Sequence, residues 1–196
     1  MRNFTLPTGT SISGWDGQNI VSNPSVLKFD GNNDNVIKNP INNFPSSEIT
    51  VEFWMKSSDT SKLGTPISYA ISGQDNEFIV YNYNNFRIFT NGNSILTNIS
   101  ATDGNWNHIA ATWRNSDGQT KLYKNGSLAF TGTLTGGALG NGGALVLGQE
   151  QDSVGGSFDS TQAFKGSIPY IQIYNMALNG TEILQHYNNT KGRFGF

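Results

Sequence analysis

The chain has 196 residues, a length that fits one domain able to bury a core without disulfides or metal ions. Its net charge of -2, with only 12 Lys and Arg residues, excludes nucleic acid and anionic membranes as primary partners. The absence of cysteine excludes disulfides, thiolate catalysis and zinc-thiolate sites, and no apolar run is long enough for membrane insertion.

The first 25 residues are polar and rich in turn formers, with Trp15 as the large apolar anchor. We expect residues 1–25 to form an N-terminal arm or an added edge strand. The segment that begins at Met1 lacks the apolar core of a secretory signal. The sequence therefore assigns no localisation; a virion, or an extracellular space reached by a non-classical route, are the two places considered.

Short runs that alternate apolar and polar residues recur along the rest of the chain, separated by turn signals. This pattern is typical of an all-β protein. In the segment 50–56, Val51, Phe53 and Met55 share one face, whereas Trp54 lies on the more polar face, which we expect to be half buried as well. The predicted strands are Val26 to Phe29, Ile49 to Met55, Glu77 to Tyr81, Phe86 to Phe89, His108 to Trp113, Lys121 to Tyr123, Leu145 to Leu147, and Ile168 to Tyr174.

Two local signals predict a hairpin and a helix. Asn125 and Gly126 tolerate the positive φ values of a type I′ turn and lie between two strand-like runs, so they predict a β-hairpin. Asn179 or Thr181 can cap a short helix over Glu182 to Tyr187. Many strands and one short α-helix near the C-terminus predict a two-sheet antiparallel β-sandwich.

An oxygen-rich segment, Leu147-Gly-Gln-Glu-Gln-Asp-Ser153, follows the seventh predicted strand. Calcium takes about 6 to 8 oxygen ligands on a flexible scaffold, which makes this segment a candidate calcium loop. Glu150 and Asp152 are two residues apart, so in an extended segment they point to one side and Gln151 to the other. The alternative is a polar loop without a metal, in a protein rich in Asn and Gly. The candidate ligands are Glu150, Asp152, Asp159, Gln162 and the backbone carbonyl of Gln151.

Several segments of the chain resemble those of pentraxins. Asn107-His-Ile-Ala-Ala-Thr-Trp113 and the segment 147–153 resemble the two hallmark segments of that family. Residues 148–162 closely follow its calcium loop, and Ser72-Gly-Gln-Asp-Asn-Glu77 resembles the partner segment. The similarity extends to the wider laminin-G-like group. It implies a concanavalin A-like jelly roll over residues 26–187, with residues 188–196 as a C-terminal tail.

The resemblance implies two calcium ions as cofactors. Because Asp159 stands where the family commonly has Glu, one methylene longer, we expect the second ion to bind more weakly than the first. The first ion would be bound by Asp75, Asn76, Glu150, Asp152 and the Gln151 carbonyl, and the second by Glu150, Asp152, Asp159 and Gln162.

The resemblance also implies a ligand and an assembly. Tyr81 occupies the wall of the pentraxin ligand pocket, but the acidic residue that meets choline in some members is Ser94 here, so phosphocholine binding is not implied. The implied function is lectin-like, calcium-dependent recognition of phosphate, carboxylate or sugar groups, without catalysis. Pentraxins form flat rings, so we expect a cyclic homo-oligomer, most simply a pentamer, that presents its sites multivalently.

One departure and two rival functions remain. The resemblance implies that pentraxins carry two cysteines whose disulfide ties their sheets together. Glu52 and Ala110 stand at those two positions here, so this sandwich must be stable without the disulfide. A glycoside hydrolase of the same fold would carry Glu-x-Asp-x-x-Glu, but Gly155 replaces its last residue, and we expect structural roles for His108 and His186. The alternative is a structural or adhesive protein of a phage or other particle, because residues 188–196 resemble the tails of such phage proteins.

Overall fold

A computed structural model describes residues 26–195. The predicted arm at 1–25 lies outside the described residues. The helix α1 spans Gly180–Thr190 and is followed by a short 3-10 helix, Lys191–Arg193. The strands are β1 (Leu27–Asp30), β2 (Val36–Ile41), β3 (Glu48–Lys56), β4 (Ile67–Ile71), β5 (Gln74–Tyr81), β6 (Arg87–Thr90), β7 (Asn93–Leu96), β8 (Trp106–Arg114), β9 (Gln119–Lys124), β10 (Ser127–Thr133), β11 (Gly143–Leu147), β12 (Lys165–Ile168) and β13 (Ile171–Tyr174).

The strands form two antiparallel sheets. The seven-stranded sheet has the order β1-β12-β3-β8-β9-β10, and β13 also pairs with β3. The six-stranded sheet has the order β2-β11-β4-β5-β6-β7. This arrangement confirms the predicted all-β sandwich with one short C-terminal helix. Within residues 26–195, no helix is long and apolar enough to cross a membrane.

The main core lies between the sheets and is built by alternate residues of each strand. Val51 and Phe53 of β3 pack in one cluster with Phe78 and Val80 of β5, all fully buried. Because successive side chains of a strand point to opposite faces, the intervening residues of β5 point away from this core. These outward-pointing residues of β5 lie on the outer surface of the six-stranded sheet, beside those of the neighbouring strands β4 and β6.

The outer face of β3 is also buried, beneath α1 and the residues that follow it. Trp54 is 0% exposed, its Nε1 donates to Thr190 Oγ1 (3.0 Å), and its ring stacks on that of Phe194 with centroids 4.3 Å apart. The expectation that this polar face is only half buried is wrong, because α1 covers it. Glu52, next to Trp54, accepts from His186 Nδ1 at 2.9 Å.

Glu52 and Ala110 lie directly opposite each other on β3 and β8. A bridge at these two positions would join neighbouring strands of one sheet, so the expectation that it would tie the two sheets together is wrong. The carboxylate of Glu52 is 1% exposed and faces the imidazole of His108, whose Nε2 is 3.3 Å from Oε1. A buried His-Glu contact therefore occupies this part of the sheet.

The two local predictions are confirmed. Asn125 and Gly126 have φ values of 53° and 77°, and β9 pairs with β10 directly across this turn. The helix begins after Asn179, whose side chain accepts from the backbone N–H groups of Thr181 and Glu182, while the Glu182 carboxylate accepts from Asn179 N. This reciprocal capping box ends the uncertainty between Asn179 and Thr181 as the cap.

Candidate metal site

The candidate site lies on the outer surface of the six-stranded sheet, where the chain leaves β11 and reverses. Gly148 has a φ of +87°, and a Cβ at this position would lie 2.4 Å from the Phe29 ring, so the reversal needs glycine. The segment 149–157 then runs back over β11 and β4. A Cβ on Gly155 would be 3.6 Å from that of Ala144 in β11, which shows how closely the segment follows the sheet.

Two glutamines fix this segment to the sheet. Gln151 is 0% exposed, and its Nε2 donates to Ser68 O (3.1 Å), Ser68 Oγ (3.0 Å) and Ala144 O (3.1 Å), while its Oε1 accepts from Gly155 N (2.8 Å). Gln149 donates to the backbone carbonyls of residues 32 and 34. Because Gln151 points into the protein, the alternation of the chain leaves Glu150 and Asp152 on the other side.

Glu150 is the buried centre of the site. It is 4% exposed, and neither of its carboxylate oxygens has a hydrogen-bond partner among the described residues. Burial and, to a smaller extent, the negative charges of Asp152, Asp75 and Asp159 together raise the pKa of Glu150 to about 7. The other three predicted carboxylates therefore lie near enough to Glu150 to disfavour its ionisation.

The strand β5 carries three of the predicted site residues, Asp75, Asn76 and Tyr81. Asp75 and Asn76 stand near its start, half buried, and Asn76 Nδ2 donates to Asp75 Oδ1 (2.9 Å). Tyr81 stands at its end on the same face as Asp75, because both alternate with Phe78 and Val80 of the core. Burial, followed by the charge of Glu150, raises the pKa of the Tyr81 hydroxyl, which places Tyr81 beside the loop.

Asp159 and Gln162 form the far side of the site. Asp159 is exposed, and its Oδ1 accepts from Thr161 N (2.8 Å), a contact that lowers its pKa. The amide oxygen of Gln162 is buried without a hydrogen-bond partner among the described residues. Lys62, which sequence reasoning missed, donates to Ser160 O (2.8 Å), and its charge also lowers the pKa of Asp159.

The donor set fits calcium, although its ligands are not gathered around one point. Within residues 26–195, no three Asp, Glu or His side chains are grouped so that they could hold a metal ion as they stand. Like charges repel one another without a cation between them, which opposes such grouping. The side-chain oxygens of Glu150 and Gln162 are nevertheless buried, and a nearby cation would stabilise both.

A separate cavity of 320 Å³ lies against the seven-stranded sheet, lined by residues that include Asp103, Trp106 and Phe194. It contains none of the predicted site residues. Of the predicted ligands, Asp152 and Asp159 are exposed, whereas Glu150 is buried.

Comparisons with known proteins agree with this architecture. Over 139 residues the chain is 44% identical to Sushi, von Willebrand factor type A, EGF and pentraxin domain-containing protein 1 of Rattus norvegicus, covering 69% of this chain and 4% of that protein. Over 143 residues it is 36% identical to Neuronal pentraxin-2 of Homo sapiens, covering 71% of this chain and 33% of that protein. The chain thus spans a third or less of the length of these relatives.

The crystal structure of a native heptameric SAP-like pentraxin from Limulus polyphemus superposes with a TM-score of 0.68 at 26% identity, covering 81% of this chain and 79% of that one. The two sheets and this neighbour define a β-sandwich of the jelly-roll class. The Pentaxin family model matches residues 26–194, and the chain therefore belongs to the pentraxin family. The absence of cysteine means that this member lacks the family disulfide.

Proposed function

We propose that this chain is a calcium-dependent, lectin-like binding domain that recognises phosphate, carboxylate or sugar hydroxyl groups. The family and its fold support a pentraxin-type ligand-binding domain. The observation that carries the calcium step is Glu150, a carboxylate that is 4% exposed and whose pKa is raised by burial and by the negative charges of Asp152, Asp75 and Asp159. A divalent cation would stabilise such a cluster in its ionised form.

The predicted site residues have different roles in this proposal. Asp75, Asn76, Glu150, Asp152 and the Gln151 carbonyl would hold one calcium ion, and Glu150, Asp152, Asp159 and Gln162 a second, weaker one. When bound, calcium supplies open coordination positions for ligand oxygens. The buried side chain of Gln151 holds the loop against β4, which prepares the site for the ion. Tyr81 offers an aromatic surface beside the ligand.

A catalytic role has less support. Gly155 occupies the position at which a related hydrolase needs its second carboxyl group, so no acid partner accompanies Glu150 and Asp152 there. His108 of β8 and His186 of α1 both contact Glu52, on the side of the molecule that carries the other sheet. Their contacts fit a role in helix packing.

The experiment that tests this function is retention on agarose that carries phosphoethanolamine linked through its amine, so that the phosphate alone is presented. We expect retention in millimolar calcium and release by a chelator. Asp152→Asn should pass through in both buffers, whereas Asp117→Asn, which changes an exposed carboxylate elsewhere, should behave like the unmodified protein. Equal retention in calcium and in chelator would contradict the proposal.

Multivalent presentation is part of the same proposal. The similar pentraxin of Limulus polyphemus is heptameric, which supports a cyclic homo-oligomer for this chain. A ring places identical sites on one face, and several weak contacts then combine into tight binding. We infer a pentamer, as the resemblance implies.

A further inference from the structure

The surface beside the calcium loop carries an arginine that the proposed function does not use. In the register of the six-stranded sheet, Arg87 of β6 lies directly between Tyr81 of β5 and Leu96 of β7. Directly opposed residues of antiparallel strands point to the same face, so these three side chains share the outer surface. Phe89 joins them, because its ring meets that of Tyr81 edge to face at 5.8 Å.

Arg87 is exposed and has no carboxylate partner. It forms no ion pair anywhere in residues 26–195, whereas Arg114 binds Asp117 at 2.6 Å. The strands β6 and β7 contain no acidic residue, and the position opposite Phe89 is Ser94. The guanidinium therefore stands alone in a patch of aromatic and apolar side chains.

Arg87 lies next to the candidate site, because it is paired across the sheet with Tyr81, the predicted ligand-binding residue. Neighbouring strands are about 5 Å apart, so a guanidinium on β6 is within reach of a small ligand that lies against Tyr81.

A structural role that exposed charged side chains often have does not apply to Arg87. Such side chains protect edge strands from pairing with other chains, but β6 is an inner strand that is hydrogen-bonded to β5 on one side and to β7 on the other. Lys62, a cation near the loop, donates to the Ser160 carbonyl. Among residues 26–195, no hydrogen bond or ion pair occupies the donors of Arg87, which are therefore available to a ligand.

Two calcium ions would neutralise the four carboxylates of the candidate site, Asp75 of β5 and the three of the loop, and leave the charge of Arg87 uncompensated. Resting on the proposed function, we propose that the site selects ligands with two anionic groups, one bound by calcium and the other by Arg87, with Tyr81 and Phe89 against the carbon atoms between them. Arginine suits this role because its fork of N–H donors binds carboxylate or phosphate in a bidentate manner.

Three small probes of similar size test this selectivity by calorimetry at one fixed free calcium concentration. Phosphoglycolate carries a second anion, phosphoethanolamine carries a cation in the corresponding place, and methyl phosphate carries neither. We expect phosphoglycolate to bind more tightly than phosphoethanolamine by on the order of tenfold, the usual effect of a charge-assisted hydrogen bond. Arg87→Gln should remove this preference and leave methyl phosphate binding unchanged.

Two further variants complete the test. Arg87→Glu should reverse the preference in favour of phosphoethanolamine, and Arg193→Gln, which removes an exposed arginine of the 3-10 helix, should keep the original order. Equal affinity for phosphoglycolate and phosphoethanolamine in the unmodified protein, or a preference that survives in Arg87→Gln, would overturn the inference while the calcium-dependent function stands. If none of the probes binds in calcium, phosphate recognition fails, which is the part of the proposed function on which this inference rests, and the inference fails with it.

Discussion

Glu150 is the residue on which the candidate site depends most. Its pKa rises from 4.5 to about 7 because the side chain is buried and because Asp152, Asp75 and Asp159 stand nearby. Between these two pH values the folded, metal-free protein binds a proton that the unfolded chain releases. The contribution of Glu150 to stability therefore declines as the pH rises through this window, and above about pH 7 its charge opposes folding.

This charge makes a testable prediction for the metal-free protein. In chelator, we expect the free energy of unfolding to fall between about pH 5 and about pH 8, with Glu150 contributing up to about 3 kcal/mol of the fall. Glu150→Gln should remove that contribution, because glutamine carries no charge at either pH. Chemical denaturation across this pH range measures the effect.

Asp117→Asn is the matched control for Glu150→Gln. Hydrogen bonds from Arg114 lower the pKa of Asp117 to about 2, so it stays ionised throughout this pH range and its removal should leave the pH profile unchanged. A Glu150→Gln protein that loses stability with pH as steeply as the unmodified protein would show that Glu150 is not the group responsible.

For single residues, the sequence predicts the orientation of side chains that alternate along one segment. It does not predict contacts between side chains of strands that are distant in sequence. The separation of Glu150 and Asp152 from Gln151 follows from a period of two residues, and the buried contacts of Gln151 agree with it. The anchoring role of Ser68 and the position of Arg87 depend on which strands pair. Those pairings are not encoded in any local spacing.

At the scale of elements, polar contacts attach α1 to the seven-stranded sheet. Glu52 lies beneath it with an exposure of 1% and contacts His186 of the helix and His108 of β8. Trp54 adds an aromatic stack with Phe194, beyond the end of the helix. Because a buried carboxylate is costly without such partners, Glu52 and the two imidazoles depend on one another.

We therefore expect Glu52→Ala to lower the free energy of unfolding by about 2 kcal/mol, the usual cost of leaving buried polar groups without their partner. The backbone amides of α1 should exchange hydrogen faster, while those of β11 in the other sheet should change little. Denaturant unfolding and hydrogen exchange followed by mass spectrometry measure the two effects. Asp117→Ala, at an exposed carboxylate, should cause a much smaller loss, and unchanged exchange in α1 would refute the docking role.

The sequence predicted some elements well because their signals are local. The Asn125-Gly126 turn and the Asn179 cap each need only a few adjacent residues. The strands β2, β4 and β7 were not predicted: β2 contains Pro40, and β7 is mostly polar. The predicted strand 168–174 is two strands, because Pro169 has no N–H for the ladder and separates β12 from β13.

For the whole molecule, alternation and turn signals were enough to predict a β-sandwich, and the resemblance supplied the jelly-roll class. The order of strands in each sheet could not be read from the pattern. It places β11 between β2 and β4, in the other sheet from β10, the strand that precedes β11 in sequence. That order brings residues 149–157 over the sheet that also contains Asp75 and Tyr81.

The assembly makes a prediction at this scale. We expect the protein at micromolar concentration to have the mass of a pentamer of its 21.3 kDa chain. Light scattering coupled to size-exclusion chromatography measures this mass. A different closed number, such as a heptamer, would correct the subunit count, and a monomer would contradict the ring and the avidity that depends on it.

The most direct test of the account is the thermal midpoint of unfolding in millimolar calcium compared with excess chelator. A metal ion at 100 times its dissociation constant stabilises the folded state by roughly 2.7 kcal/mol per site, which for a domain of this size is about 5 to 10 °C. We predict such a rise in calcium and its loss in Asp152→Asn. An unchanged midpoint would mean that the loop does not bind calcium, and would contradict the proposed function.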